Sequence, residues 1–197
     1  MSFISNSIAN PMFPITGYSE FWNRLEKPRK LTKKIRRKKW VRYERKHSNS
    51  LWHTDFCEVE GKQIISFIDD ASRFIVGSGK FDAATTDNAL EVFNRAREIH
   101  GKPKQVMTDH GTQFCSDEEK VFKFSENLKA EGVEHIMARV KRPQSNGKIE
   151  RWFGTVKKLY FHFDRDLGKA VACYNSMPHL SLDMTPAQAY ELRKWNN

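Results

Sequence analysis

Hydrophobic and polar positions alternate with a two-residue period over residues 51–59, which is the pattern of a strand with one buried face. A turn is predicted at residues 61–62, and the apolar run at 64–68 predicts a second strand that is buried on both faces. Turn-forming residues at 69–72 separate it from a third predicted strand at 74–81, so these strands should form an antiparallel meander. One face of the first strand carries Leu51, His53, Asp55, Cys57 and Val59.

The pattern then changes to a helical period. It predicts a helix that begins at a Thr86 or Asp87 cap, continues to about His100 and ends at residues 101–103, where Gly and Pro follow. The apolar face of this helix is predicted to contain Ala89, Leu90, Phe93, Ala96 and Ile99.

Short apolar segments and helical patterns alternate further along the chain. Residues 104–108 are too few for anything but a strand, and because this strand follows a helix, a parallel crossover is implied. A second helix is predicted at 118–130 and a fifth strand at 132–137.

Three more helices are predicted after a polar loop. The first begins at a Ser145 or Asn146 cap and carries Glu150 near its start, and two short helices follow at 166–177 and 186–195. The buried face of the first of them is predicted to contain Ile149, Trp152, Phe153, Val156, Tyr160 and Phe163.

A meander followed by alternating helices and strands predicts an α/β domain with a five-stranded mixed sheet flanked by helices. Functional sites in such sheets form beyond the strand ends, at a topological switch point of the strand order. If the strand at 104–108 lies beside the strand at 51–59, Asp55 and Asp109 come together.

Positive charge is concentrated in one segment. The formal net charge is +10, and residues 24–46 hold 13 Lys and Arg against Glu26 and Glu44, so this segment carries +11 and the remainder sums to −1. A cationic arm on a nearly neutral body favours a polyanionic partner, nucleic acid first, because each neutralised phosphate releases condensed counterions. A solvated charged tail is the alternative for the arm, and a solvated helix face is the alternative for the basic residues after 146. The candidate DNA-binding residues are Lys33, Lys34, Arg36, Arg37, Lys38, Lys39, Lys148, Arg151, Lys157 and Lys158.

Cysteine content and hydropathy restrict the environment. Cys57, Cys115 and Cys173 are odd in number and widely spaced, so neither a disulfide framework nor a zinc knuckle is indicated. No apolar stretch approaches the roughly 20 residues that span a bilayer. We expect a cytoplasmic, nucleoid-associated protein.

Three separated acidic residues carry the candidate chemistry. Asp55 lies in a predicted strand, Asp109 follows one, and Glu150 lies in the first turns of a helix. Each has an ordinary explanation, as an edge-strand polar residue, a turn former or a helix-dipole partner. Together they would form a hard, oxygen-only anionic site of the kind that binds Mg²⁺ or Mn²⁺, which favours phosphodiester chemistry.

Neighbouring polar residues have competing interpretations. Asp69 and Asp70 lie between two predicted strands, so a hairpin turn is favoured over metal ligation. His53 and His110 flank the aspartates and could assist metal or phosphate positioning, and ordinary packing or solvent exposure is at least as good an explanation.

The sequence motifs resemble a known family. The most specific of them is the run at 142–151, Arg-Pro-Gln-Ser-Asn-Gly-Lys-Ile-Glu-Arg, followed by Trp152 and Phe153. Residues 52–55 and 108–114 resemble the two aspartate motifs of the same family. On these motifs the chain resembles the catalytic core of DDE transposases and retroviral-type integrases, especially prokaryotic insertion-sequence transposases.

The resemblance implies a ribonuclease H-like fold, with a basic arm or linker at 1–48, an integrase-type catalytic core at 49–164 and a helical tail packed on the core at 165–197. It implies that Asp55, Asp109 and Glu150 are catalytic and bind two Mg²⁺ or Mn²⁺ ions. The implied activity is metal-dependent DNA end nicking and strand transfer. Transposon ends and target DNA are the implied partners, and a homodimer or higher oligomer is the implied active form.

Two other functions remain open on the sequence. A catalytically silent DNA-binding transposase remnant would keep the fold and the basic arm without productive recognition of DNA ends. A general nuclease could use the same fold on RNA–DNA hybrids, although the motif at 146–151 resembles transposases specifically.

Overall fold

The computed structural model describes residues 44–109, 118–138 and 147–195. The arm residues Lys33 to Lys39, His110 and the expected cap at Ser145 or Asn146 lie outside these ranges. The described residues belong to one compact unit. Within the described ranges, no helix combines the length and the apolar character needed to cross a membrane.

A five-stranded mixed sheet forms the centre of the fold, in the order β3-β2-β1-β4-β5. The first three strands pair antiparallel, β4 pairs parallel with β1, and β5 pairs parallel with β4. This topology confirms both the predicted meander and the predicted parallel crossover. The strands are β1 (Trp52–Val59), β2 (Lys62–Asp69), β3 (Ile75–Phe81), β4 (Gln105–Thr108) and β5 (Glu134–Met137).

The five helices of the described ranges lie close to their predicted positions. They are α1 (Thr86–His100), α2 (Glu118–Ala130), α3 (Gly147–His162), α4 (Leu167–Ser176) and α5 (Pro186–Leu192).

The ends and the apolar face of α1 differ in detail from the prediction. The N-cap is Thr85, whose side chain accepts a hydrogen bond from the Asn88 backbone N–H at 3.2 Å, so the expected caps at Thr86 and Asp87 are wrong by one or two residues. Gly101 ends the helix with a φ of 79°, as its position predicted. Ile99 is 69% exposed, so the predicted apolar face of this helix is wrong at its last turn.

Residues of opposite parity along the strands face two separate layers of helices. Trp52 and Phe67 pack with α1 and α2 on one face of the sheet. Val59 and Ile64 pack against Tyr160 of α3 on the other. Asp55 has the same parity as Val59 along β1 and therefore points toward the α3 face.

Helix α1 packs unusually close to β3 at two glycines. A Cβ atom at Gly77 would lie 2.9 Å from Cβ of Ala96, and one at Gly79 would lie 2.6 Å from the Val92 side chain. These positions therefore require glycine for space rather than for backbone conformation. The close contact holds α1 against the edge of the meander.

Residues 44–49 are hydrogen-bonded into the core, although sequence reasoning assigned them largely to the arm. The backbone N–H of Ser48 donates to the Arg193 carbonyl at 2.9 Å, and its hydroxyl donates to the Tyr190 carbonyl at 2.8 Å. The backbone N–H of Asn49 donates to Asp69 Oδ1 at 2.8 Å. This segment thereby connects the start of the sheet to the last helix.

Candidate active site

Parallel pairing of β1 and β4 brings two of the three predicted carboxylates together. His53 of β1 is the register partner of Met107 of β4, and the two strands are parallel. Two residues further along each strand, Asp55 is therefore level with Asp109, which lies directly beyond the end of β4. Neighbouring strands are separated by about 4.8 Å. The conditional expectation that these strands are neighbours is confirmed.

Glu150 reaches the same region from α3. It lies in the first turn of this helix, and its side chain is exposed. Ile149 and Trp152 are fully buried beside it, which anchors the start of the helix on the sheet. The negative charge of Glu150 acts on Asp55, so the three acids share one electrostatic environment.

The Asp55 carboxyl group is strongly perturbed. Burial, together with the nearby charge of Asp109 and a smaller effect of Glu150, raises its pKa from 3.8 to about 7. A hydrogen bond from the Phe56 backbone N–H to Asp55 Oδ1, 2.7 Å long, opposes this increase. The site therefore holds negative charge that the described residues compensate incompletely.

The chemistry of these donors fits a hard divalent cation, because carboxylate oxygens are its preferred ligands and mutual repulsion favours a cation between them. Within the described ranges, no three His, Cys, Asp or Glu side chains are close enough to hold a metal ion together. The carboxylates thus lie within electrostatic range of one another, short of shared ligation.

Asp69 and Asp70 form the predicted turn between β2 and β3, and both are completely buried. Asp69 accepts hydrogen bonds at Oδ2 from the Ser72 backbone N–H at 2.8 Å and from the Ser72 hydroxyl at 2.6 Å. These contacts confirm the turn and account for Asp69 without ligation.

Asp70 has a second role that sequence reasoning missed. Its Oδ1 lies 2.6 Å from Nε2 of His53 and also accepts a hydrogen bond from the Lys148 ammonium. Burial acts to raise the pKa of Asp70, but His53 and Lys148 outweigh it and hold the pKa below its usual range. Burial lowers the pKa of His53, although the hydrogen bond and the charge of Asp70 act to raise it.

Lys148 is accordingly not on the solvent face of α3. Its side chain is only 11% exposed and its ammonium is bound by Asp70, which corrects the expectation that it projects toward DNA with the other basic residues. The cause is the turn after β2, which places a buried carboxylate beside the first turn of the helix.

The other three basic candidates on α3 lie on the protein surface, as expected. Arg151, Lys157 and Lys158 are exposed. Burial raises the pKa of the Cys57 thiol to about 11 while the charge of Lys157 opposes the increase, so Lys157 lies near the face of β1 that carries Asp55. The predicted contact of these residues with DNA stays a prediction.

One family model and two curated relatives match this chain. The model of the integrase core domain family matches residues 45–143. A putative integrase of a Spiroplasma virus is 30% identical over 126 residues, which cover 58% of this chain and 34% of that protein. An uncharacterized protein of Caenorhabditis elegans is 29% identical over 154 residues, 72% of this chain and 11% of that protein. The chain thus spans about a third and about a tenth of these relatives' lengths.

Solved structures show the same fold. The catalytic core domain of HTLV-2 integrase in complex with magnesium, in its dimeric form, aligns with a TM-score of 0.59 at 19% identity, covering 73% of this chain and 97% of that chain. The catalytic core domain of BIV integrase aligns with a TM-score of 0.61 at 16% identity, covering 73% and 95%. The fold is therefore that of the ribonuclease H-like integrase cores.

Proposed function

This chain belongs to the integrase core domain family, and we propose that it is the catalytic domain of a DNA transposase or integrase that nicks DNA ends and joins them to a target by strand transfer. The observation that carries the proposal is the parallel pairing of β1 with β4, which places Asp55 level with Asp109 on the face over which the helix carrying Glu150 packs. Burial and the charges of Asp109 and Glu150 also raise the pKa of Asp55 to about 7. Strongly perturbed groups with identified charge partners cluster at functional sites.

Asp55, Asp109 and Glu150 would hold Mg²⁺ or Mn²⁺, two ions in the complete site. When bound, such ions activate an attacking water or 3′-hydroxyl and stabilise the leaving oxygen. The protein holds Asp55 and Asp109 on neighbouring strands and carries Glu150 on a helix that packs over the same face. Partial burial of Asp55 strengthens its interactions with nearby charge.

DNA is the proposed partner of both basic regions. Arg151, Lys157 and Lys158 are exposed on the helix that carries Glu150, where they could bind phosphates beside the site. The arm at 24–46 would add sequence-independent affinity. Because integration joins two DNA ends to one target, the proposed active form is a dimer or a higher oligomer, and the proposed location is the cytoplasm at the nucleoid.

Metal-dependent strand transfer tests this proposal directly. The full chain is incubated with Mn²⁺ and with DNA ends taken from the flanks of its own coding region, and nicked and joined products are measured. Asp109→Asn should reduce the rate by more than about 100-fold, because even residues that only support a metal ligand are typically worth 10- to 100-fold. Asp183→Asn, which removes an exposed carboxylate in the C-terminal tail, is the matched control and should retain activity.

A catalytically silent DNA-binding protein is the second candidate. The concentration of positive charge in residues 24–46 is the observation behind it, because DNA binding alone would use that charge. Salt-sensitive DNA binding without nicking under either cation would support this candidate. Strand transfer that Asp109→Asn leaves unchanged would contradict the proposed catalytic site.

A further inference from the structure

The Asp70 carboxylate connects three segments that are distant in sequence. Its Oδ1 binds the Lys148 ammonium of α3 and lies 2.6 Å from Nε2 of His53 on β1. Its Oδ2 accepts a hydrogen bond from the Arg45 backbone N–H at 2.6 Å. Two of these partners, His53 and Lys148, lie two residues before Asp55 and Glu150 respectively.

The contact with Lys148 is a buried ion pair rather than a surface pair. Asp70 is completely buried, and the Lys148 side chain is 11% exposed. The Lys148 ammonium also donates to the Asp70 backbone carbonyl at 3.2 Å, so both the carboxylate and the main chain of the turn fix its position. Such pairs contribute little net stability compared with apolar packing, whereas they define one geometry strictly.

Helix geometry connects this pair to the candidate site. Residues two apart on an α-helix point about 200° apart, so Lys148 fixes one side of the first turn of α3 and Glu150 extends from nearly the opposite side. A carboxylate about 5 Å from the helix axis moves by about 2 Å when the first turn rotates by about 20°. Bonds from carboxylate oxygens to divalent cations tolerate only about 0.2 Å.

We infer that Asp70 and Lys148 form a positioning pair that sets the rotation of the first turn of α3 and thereby the place of Glu150 relative to Asp55 and Asp109. The inference rests on the proposed function, since it concerns the site that would hold the cation. His53 extends the same connection to β1, so that the strand carrying Asp55 and the helix carrying Glu150 share one buried anchor.

Mn²⁺ affinity of the full chain, measured by titration calorimetry below the melting temperature, tests the pair without relying on activity. Lys148→Met removes the ammonium group and keeps much of the side-chain length. It should weaken Mn²⁺ binding by roughly 10- to 100-fold. In strand-transfer assays kcat should fall by a similar factor while the KM for DNA stays constant, because the Lys148 ammonium is engaged by the buried Asp70. Lys148→Arg keeps the positive charge and should recover part of both losses.

Leu128→Ala is the control for destabilisation alone. Leu128 is fully buried on the opposite face of the sheet, so this variant should lose stability and keep wild-type Mn²⁺ affinity. If Lys148→Met leaves an unpaired buried Asp70 and does not fold, the double variant Lys148→Met with Asp70→Asn removes both charges and is measured in the same way.

Two results overturn the inference and separate it from the proposed function. Wild-type Mn²⁺ affinity in a folded Lys148→Met or double variant would show that the pair is purely structural, and the proposed catalytic function would stand. A wild-type chain that binds no Mn²⁺ would overturn both.

Discussion

Asp55 is a carboxylic acid that the native protein holds partly in its neutral form. Burial and the charge of Asp109 raise its pKa to about 7, whereas in the unfolded chain it ionises near 3.8. The native state therefore keeps a proton that the unfolded state releases between these pH values. The stability that belongs to the protonated group is complete below about pH 4 and is lost as the pH rises through 7.

Asp55→Asn should therefore stabilise the metal-free protein at alkaline pH while it removes a proposed catalytic ligand. We expect the free energy of unfolding at pH 8 to increase by on the order of 1 to 4 kcal/mol relative to wild type, because a shift of one pKa unit corresponds to about 1.4 kcal/mol. The difference between variant and wild type should widen between pH 5 and pH 8. Urea denaturation at these two pH values, with a chelator present, measures it.

Asp183→Asn again serves as the control, because it makes the same substitution at an exposed position in the C-terminal tail. An Asp55→Asn variant that is equally stable or less stable than wild type at pH 8 would contradict the interpretation of Asp55 as a destabilised buried carboxylate.

The elements themselves were largely predictable from the sequence, since strand and helix periods are local properties. The buried residues of β2 lie where their period predicted. The apolar face of α3 does so from Ile149 to Tyr160, with Leu159 as an additional buried residue, whereas Phe163 lies beyond the end of the helix and is only partly buried. The predicted burial of Ile99 was wrong, because a helical period defines one face of a helix without showing how far neighbouring elements cover that face. The close approach of α1 to β3 at Gly77 was also beyond the sequence pattern, since it depends on the contact between two elements.

Two glycine substitutions test the contact between α1 and β3. Gly77→Ala should lower the free energy of unfolding by about 1 to 3 kcal/mol, because the new methyl group would meet Ala96 and the packed backbone of α1 would have to move. Gly154→Ala adds the same methyl group in the exposed middle of α3, where nothing lies within 4 Å, and should increase the free energy of unfolding by about 0.5 to 1 kcal/mol.

Urea denaturation of both variants gives the comparison. Opposite signs are the expected result, and a neutral Gly77→Ala would show that α1 moves away from β3 at little cost.

The excess positive charge of the molecule lies in a different part of the chain from the three candidate acids. The arm at 24–46 carries a formal charge of +11. The remaining residues sum to −1, which gives the net charge of +10, and they contain the three acids of the candidate site. On the described part of the chain, exposed basic residues on α3 lie on the face of the sheet that carries Asp55, whereas α2 covers the opposite face. Nonspecific DNA affinity should therefore depend on one face of the core in addition to the arm.

The salt dependence of DNA binding tests this asymmetry. Replacing both Lys157 and Lys158 by Ala should reduce the slope of log affinity against log salt by about 2, since each lost phosphate contact contributes roughly one unit. The double variant of Lys123 and Lys129 on α2 removes the same charge from the other face and should leave the slope nearly unchanged. Equal slopes for the two double variants would indicate that only net charge matters. Fluorescence anisotropy with a random duplex over a range of salt concentrations measures both.

The sequence by itself determined the order of strands and helices, the fold class and the identity of the three candidate acids, because these follow from local periods and from motifs. It also made the proximity of Asp55 and Asp109 conditional on the pairing of β1 with β4, which the structure confirms. Only the tertiary structure decided the orientation of Lys148. A lysine near a helix start has the same local pattern whether it faces solvent or a buried carboxylate, and its partner Asp70 lies 78 residues away in the chain.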